Sequence, residues 1–344
     1  MSANLNGNTQ AYQPFALRIF QGLKPDIVAI QEFNYGNNTA ADFRAMLDTA
    51  FGTNFVYSRE SGYNIPNGII SRYPILASGS WDDPLVNDRG FAWAQVDLPG
   101  TNDLYVVSVH LYGSGTATDR NSEATLLKTL IGTNFPANAW VVIAGDFNTA
   151  NRSESAITTF KTFLSDSPIP TDAESGGDAD TNEPRNKPYD YVLPSYSLAT
   201  MLTNCVLGSH SFANGLVFDS RVYTPLRDVA PVQAGDSTNA QHMAVIKDFA
   251  LSYSVTPPLT DGPTITSQPQ SQTVGLGSDV TFSIAASGTA PLAYQWRFNS
   301  TDIPGATAPS YARTAVQTTD AGNYSVVITN ASGSVTSLIA TLTV

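Results

Sequence analysis

The sequence predicts an α/β domain built as a four-layer α-β-β-α sandwich, with two packed mixed β-sheets covered by helices, followed by a small all-β sandwich. Three observations carry that expectation. Up to about Val255, short runs rich in Val, Ile and aromatics are interspersed with stretches whose apolar residues recur at three and four. Some strand-like runs stand next to each other with no helix between them, which fits a purely parallel doubly wound sheet poorly. From residue 264 onward helical spacing disappears and the chain alternates on a period of two between Gly, Pro and Ser turns.

Taken in order, AYQPFALRIFQGL, TAADFRAMLDTAF and SEATLLKTLIG read as helices facing a sheet. DIVAIQEF, GIISRYPIL, FAWAQVDL, LYVVSVHL and WVVIAGDF read as strands closed by turn residues. The runs 91–98 and 104–111, joined by PGTND, are expected to form a hairpin. Segment 171–186, TDAESGGDADTNEPRN, holds five acids and almost nothing apolar, and reads as a solvated loop, with a calcium site as the alternative. The Pro-rich stretch 254–263 reads as a semi-rigid linker between a domain at 1–253 and one at 264–344.

Composition limits the function classes. The chain has 344 residues, enough for two cores, and a net charge of −12, which repels a phosphate backbone at long range and counts against non-specific nucleic-acid binding. A single cysteine, Cys205, allows no intrachain disulfide. No apolar run is long enough for a membrane span. Met1 leads straight into SANLNG, which suggests a trimmed or processed chain whose export signal lies upstream; a secreted or cell-surface monomer is expected.

Chemistry-bearing residues gather at the ends of apolar runs: Asn4 in SANLNG, Glu32 in IVAIQEF, His110 in VVSVHL, Asp146 and Asn148 in VVIAGDFN, Asp190 in YDYVLP and His242 in AQHMAV. Strands of packed sheets deliver side chains at such places to a common mouth. Each has a plain structural alternative. Asp and Asn favour turns, a strand-end Glu suits solvent, Asp190 suits a surface ion pair, and a lone His suits a core. As a set they suit phosphate-ester cleavage: oxygen ligands bind a hard cation, a His held by an Asp moves a proton, and a second His faces the phosphoryl charge.

The order SANLNG, IVAIQEF, NGIISRYPI, SVHL, GDFN, YDY and QHMAV resembles the endonuclease/exonuclease/phosphatase superfamily over residues 1 to about 252. That resemblance implies a metal-dependent hydrolase of phosphate esters, with Mg2+ (or Mn2+ or Ca2+) as cofactor and a nucleic acid or phospholipid headgroup among the possible substrates. It implies Glu32 as principal metal ligand with Asn4 beside it, Asn6 helping and Gln241 contributing an amide oxygen. Asp146 would orient the attacking water, Asn148 would bond the phosphate, His242 and Asp190 would be the acid-base pair, and His110 would stabilise the transition state. Asn67 and Arg120 are candidate substrate contacts, as are Arg89, Arg185 and Lys187.

One position departs from the pattern: the family commonly has Asp where Gln241 precedes His242, which removes a negative charge from the metal site, and Asp236 could compensate. The alternative is a surface binding protein that keeps the fold and has lost catalysis. Residues 264–344 resemble an immunoglobulin-like domain, with Trp296 as core tryptophan, Tyr324 at the tyrosine corner, and Ile284 and Val326 where paired cysteines often stand. That domain would contact a cell surface or matrix, or serve as a spacer.

Overall fold

The computed structural model of the chain describes residues 1–6, 11–100, 102–173, 177–251, 263–288, 292–330 and 333–344, so most of the expected linker lies outside the described residues. Two compact units, Met1–Tyr253 and Ser254–Val344, divide it.

The first unit is built on two sheets. One holds β1 (Ser2–Ala3), β2 (Ile27–Ile30), β3 (Val56–Arg59) and β4 (Gly68–Ser71), joined by strands Leu216–Phe218 and Ala244–Ile246. The other runs in the order β5 (Ile75–Asp82), β6 (Gly90–Val96), β7 (Leu104–His110), β8 (Trp140–Asp146), β9 (Asp190–Pro194). Both are mixed: β1 runs parallel to β2 and β7 to β8, and their other neighbours are antiparallel. Helices α1 (Pro14–Leu23) and α2 (Ala40–Ala50) cover the first sheet, and α3 (Ala117–Asn134) and α4 (Ser155–Phe160) cover the second.

Four layers need three cores, and the period-two pattern of the strands supplies them. In β7, β8 and β9 the odd residues Val107, Val109, Val141, Ile143, Tyr191 and Leu193 pack with α3 and α4. The even residues Val106, Val142, Ala144 and Val192 turn the other way and meet Ala29, Ile69, Val217, Met243 and Val245 of the facing sheet. Strands buried on both faces read as near-continuous apolar runs, which is why VVSVHL and VVIAG carry no alternation of their own.

GIISRYPIL, expected as one strand, is two. The chain leaves the first sheet after Ser71 and enters the second at Ile75, so Arg72–Pro74 is the crossover between layers, at a place where Pro74 could not donate to a ladder. The third expected helix begins earlier than its apolar spacing suggests, because Thr116 and Asp119 form a capping box ahead of Ala117. The hairpin of β6 and β7 forms as read.

The second unit is all β. Trp296 is fully buried and donates its indole N–H to Ala308 O at 3.0 Å, while Tyr324 donates its hydroxyl to Asp320 O at 2.9 Å, the tyrosine-corner bond. Ile284 and Val326 are buried in the same core as Trp296, so apolar packing stands where a disulfide often does.

Candidate active site

The register of the second sheet makes half of the site. His110 pairs with Asp146 across β7 and β8, and Asp146 pairs with Asp190 across β8 and β9. Directly paired residues share a face, and these three continue the even positions whose side chains point between the sheets. At their strand ends the inter-sheet core gives way from Val and Ala to polar groups. Gly145 permits this arrangement: a Cβ there would lie 1.9 Å from Val109 O, and its φ of 149° is one that L side chains rarely adopt.

The first sheet supplies the opposite wall. Asn4 and Asn6 follow β1, and His242 precedes the strand Ala244–Ile246. Period two alone would send Glu32 to the helix-covered face with Val28 and Ile30. A left-handed backbone at Glu32, φ 50°, breaks the alternation, and the carboxylate accepts Asn6 Nδ2 at 2.8 Å and lies 3.9 Å from His110 Nδ1. Such a conformation in a residue other than Gly is costly, on the order of 1–3 kcal/mol, and tends to be kept where a side chain must be aimed. Asn148 turns the chain in the same way, φ 51°, donating its N–H to Asp146 Oδ1 at 2.8 Å and its Nδ2 to Leu111 O at 3.0 Å. The two walls are tied just behind the site: Gln31 Nε2 donates to Ser108 Oγ at 2.9 Å, and that hydroxyl donates to Ile30 O at 3.0 Å.

Asp146 Oδ2 is the meeting point. It lies 3.3 Å from Asn4 Nδ2, 3.4 Å from His110 Nε2 and 3.7 Å from His242 Nε2. On its other side His242 Nδ1 meets Asp190 Oδ2 at 2.8 Å. Thr181 fixes that aspartate, accepting its N–H at 2.7 Å and donating Oγ1 to its Oδ2 at 2.9 Å. His110, Asp146, Asp190 and His242 are all buried, as is Glu32.

Burial and charge set the two histidines apart. Burial holds His110 well below the ordinary 6.5, reinforced by Arg89 and His242, so it is neutral. For His242, burial opposes the charge but is outweighed by Asp190, Asp146 and Glu32, and the imidazole is pushed up to about 9. Burial also raises Asp146, to about 7, with Asp190 and Glu32 adding and His242 opposing.

The other expected residues are held by partners within the fold. Arg120 is buried and committed: Nε and Nη2 grip Glu154 at 3.0 Å each, and Nη1 donates to Gly115 O at 2.9 Å and Tyr112 O at 3.3 Å. A guanidinium so enclosed serves as a structural clamp. Asp236 does not compensate for Gln241, because Arg18 Nε holds it at 3.1 Å and Gln233 N–H at 2.8 Å. Asn67 is fully buried, donating Nδ2 to Gly90 O at 2.7 Å and its N–H to Glu60 Oε2 at 2.7 Å. Gln241 is held through its backbone, its N–H on Asn6 O at 3.0 Å and its carbonyl accepting Glu183 N–H at 2.8 Å. Arg89 donates Nε to His110 O at 2.7 Å.

Segment 171–186, of which residues 174–176 lie outside the described residues, is tied down at its described positions. Asp172, Thr181 and Asn182 are buried, and Arg185 gathers Asp172 at 2.8 Å and Asp178 at 3.2 Å, which occupies acids that a calcium ion would have needed. Its inner end forms one side of the site: Asn182 bridges His242, and Met243 N–H donates to Thr181 O at 2.6 Å.

Among the described residues no three His, Cys, Asp or Glu side chains form a ready-made metal cage. What the site offers is one carboxylate, Glu32, with two amides beside it whose Oδ1 atoms, on Asn4 and Asn6, are buried without a hydrogen-bond partner. Buried acceptors are costly unless satisfied, and an all-oxygen donor set suits a hard divalent cation. These residues fit such an ion.

Fold and cluster together define the class first: an α-β-β-α sandwich with a buried polar site at one end of the paired sheets. Residues 1–211 match the Endonuclease/Exonuclease/phosphatase family, and residues 262–330 match an immunoglobulin domain. The chain belongs to the endonuclease/exonuclease/phosphatase family, which is generally hydrolytic. Among curated proteins, endoglucanase C of Cellulomonas fimi is 38% identical over 91 residues, which span 25% of this chain and 8% of that protein. Among solved structures, titin domain M4 is 24% identical over 25% of this chain and 98% of its own, with a TM-score of 0.24. Sidekick-1 immunoglobulin domains 1-5 are 22% identical over 24% of this chain and 18% of theirs, TM-score 0.23. Scores that low add nothing to the fold.

Sequence reading missed Thr181, hidden in a polar segment, and the Gln31–Ser108 tie. The second left a trace: Ser108 interrupts the apolar run VVSV at an even position.

Proposed function

We propose that the first unit is a divalent-metal-dependent phosphodiesterase. The observation that carries this reading is the His242–Asp190 pair at 2.8 Å, with the free imidazole nitrogen turned to Asp146 beside Glu32. Glu32, Asn4 and Asn6 would hold the cation, which when bound supplies polarisation of a phosphoryl oxygen and charge for the leaving oxygen.

Hydrolysis removes a proton from water and delivers one to the departing oxygen. Asp146 orients the attacking water; its raised carboxyl suits a group that accepts a proton near neutral pH. His242, oriented by Asp190 and charged at neutral pH, donates to the departing oxygen and is then reset by solvent. Neutral His110 and the Asn148 amide hydrogen-bond the phosphoryl oxygens, where negative charge builds. Burial of the whole set strengthens each of these interactions relative to water.

A panel with Mg2+, Mn2+ or chelator on DNA, bis(p-nitrophenyl) phosphate and p-nitrophenyl phosphate tests the proposal. Cation-dependent diester cleavage, lost in Glu32→Ala and His242→Ala, is expected. Cation binding by calorimetry with no cleavage would replace this reading with a binding protein that has lost turnover. We also propose export, with the immunoglobulin-like unit contacting a surface or matrix, consistent with the likeness to an endoglucanase. Recovery of the protein only from the cytoplasm of the producing cell would contradict it.

A further inference from the structure

We propose that Lys187 selects the substrate by taking one anionic group carried beside the scissile phosphate, so that the preferred substrate is a small phosphodiester bearing a second phosphate. This rests on the phosphodiesterase reading and extends it.

The turn that presents Lys187 is rigid. Asn182 Oδ1 accepts the N–H groups of Asn186 and Lys187, each at 2.9 Å, and Asn182 Nδ2 donates to Asn186 Oδ1 at 2.7 Å. Lys187 O in turn accepts N–H groups from Thr181 at 2.9 Å, Asn182 at 3.2 Å and Tyr189 at 3.1 Å. The same turn is locked to the site, because Asn182 bridges His242 and Thr181 fixes Asp190. Lys187 is therefore held by the backbone that aligns the acid-base pair.

Its side chain lies against Tyr189, which itself packs on His242. The ammonium lies 5.7 Å from the Tyr189 ring centroid and 3.4 Å from its hydroxyl, and the Tyr189 ring stands 5.4 Å from that of His242. Neighbouring cations are occupied. Arg185 serves Asp172 and Asp178, Arg221 serves Asp219 at 2.6 Å and Glu183 at 3.0 Å, and Arg89 pairs with Asp88 at 3.0 Å. Among the described residues Lys187 forms no ion pair. Burying a long side chain half-way with its charge uncommitted, next to a reacting centre, leaves a donor for an anion that arrives with the substrate.

Charge decides how large that anion is. One unpaired ammonium beside this site can satisfy one extra phosphate, whereas a polynucleotide needs a row of cations and is repelled by a chain of net charge −12.

Two chromogenic diesters test the inference: thymidine 5′-(p-nitrophenyl phosphate) and the same compound with a 3′-phosphate. The wild-type chain is expected to favour the 3′-phosphorylated substrate about tenfold in kcat/KM, the size of one hydrogen bond to a charged group. Lys187→Gln should bring the ratio of the two kcat/KM values close to one, and Lys187→Arg should restore it. Lys161→Gln, which removes an exposed charge elsewhere, should leave the ratio as in wild type. A ratio that Lys187→Gln does not change overturns the inference while leaving the activity standing. A steep rise of kcat/KM with oligonucleotide length also overturns it. If the wild-type chain cleaves neither diester, the phosphodiesterase reading itself fails.

Discussion

Replacing Asp190 by Asn probes the site at its most strained electrostatic point. In the metal-free protein His242 is pushed from 6.5 to about 9 although burial, the largest single influence, works against the charge; Asp190 is the foremost of the carboxylates that reverse it. At about 1.4 kcal/mol per tenfold change, that elevation is on the order of 3 kcal/mol of preference for the imidazolium. Asn is nearly isosteric and keeps an oxygen for the Thr181 hydroxyl, so the perturbation is mainly electrical. With burial unchanged and its chief opponent gone, the His242 titration midpoint should fall to about 6.5 or below. The assay is histidine ring NMR on metal-free protein, titrated from pH 5 to pH 10 in both forms. A midpoint that stays near 9 in Asp190→Asn would refute the reasoning. Diester hydrolysis should fall by about 10²–10⁴-fold, the usual worth of an oriented acid-base group.

Three further outcomes follow from the same structure. Because the folded-state value of His242 lies above its unfolded 6.5, its stabilising contribution is complete below about pH 6.5 and is lost as pH rises through about 9; Asp146, raised to about 7, pushes the same way, since its ionisation is disfavoured in the fold. Thermal melts of metal-free protein should therefore show Tm falling between pH 6 and pH 9.5, and a flat or rising profile would contradict this. Gly145→Ala should destabilise the first unit by about 3–5 kcal/mol, because a methyl 1.9 Å from Val109 O forces β7 and β8 apart at an unfavourable φ; a Tm within a degree of wild type would be inconsistent with the strand register that joins His110 to Asp146. Arg120→Ala should lower stability by about 3–5 kcal/mol by leaving Glu154 buried without its partner, with KM for a diester unchanged, and a KM defect without loss of Tm would return Arg120 to the substrate.

The layered fold was legible because buried strands and one-sided helices leave opposite traces: VVIAG can sit only between two apolar surfaces, and AYQPFALRIF has only one. The crossover at Arg72–Pro74 was not legible, since both halves of GIISRYPIL are strands and periodicity does not say in which sheet. Asp146, Asp190 and His110 were found at strand ends because polar residues stop apolar runs abruptly. Glu32 was found for the same reason, although its direction depends on a left-handed φ that no pattern encodes. The ion pairs of Arg120 and Asp236 were not legible because a charge in a polar segment looks the same whether it meets solvent, substrate or a buried partner; only the fold brings Glu154 and Arg18 to them. The described part of segment 171–186 differs from its reading for a related cause. Its burial comes from Arg185 closing a ring of acids and from pairing with His242, both long-range contacts with no local signature.

The most direct test of the central claim is the rate of bis(p-nitrophenyl) phosphate hydrolysis as Mg2+ is titrated into chelator-stripped protein, wild type beside Glu32→Gln. The account predicts saturable activation in the wild type and, in the variant, a midpoint shifted at least tenfold higher or no activation at all. Hydrolysis that persists in chelator, or an identical titration in Glu32→Gln, would contradict it.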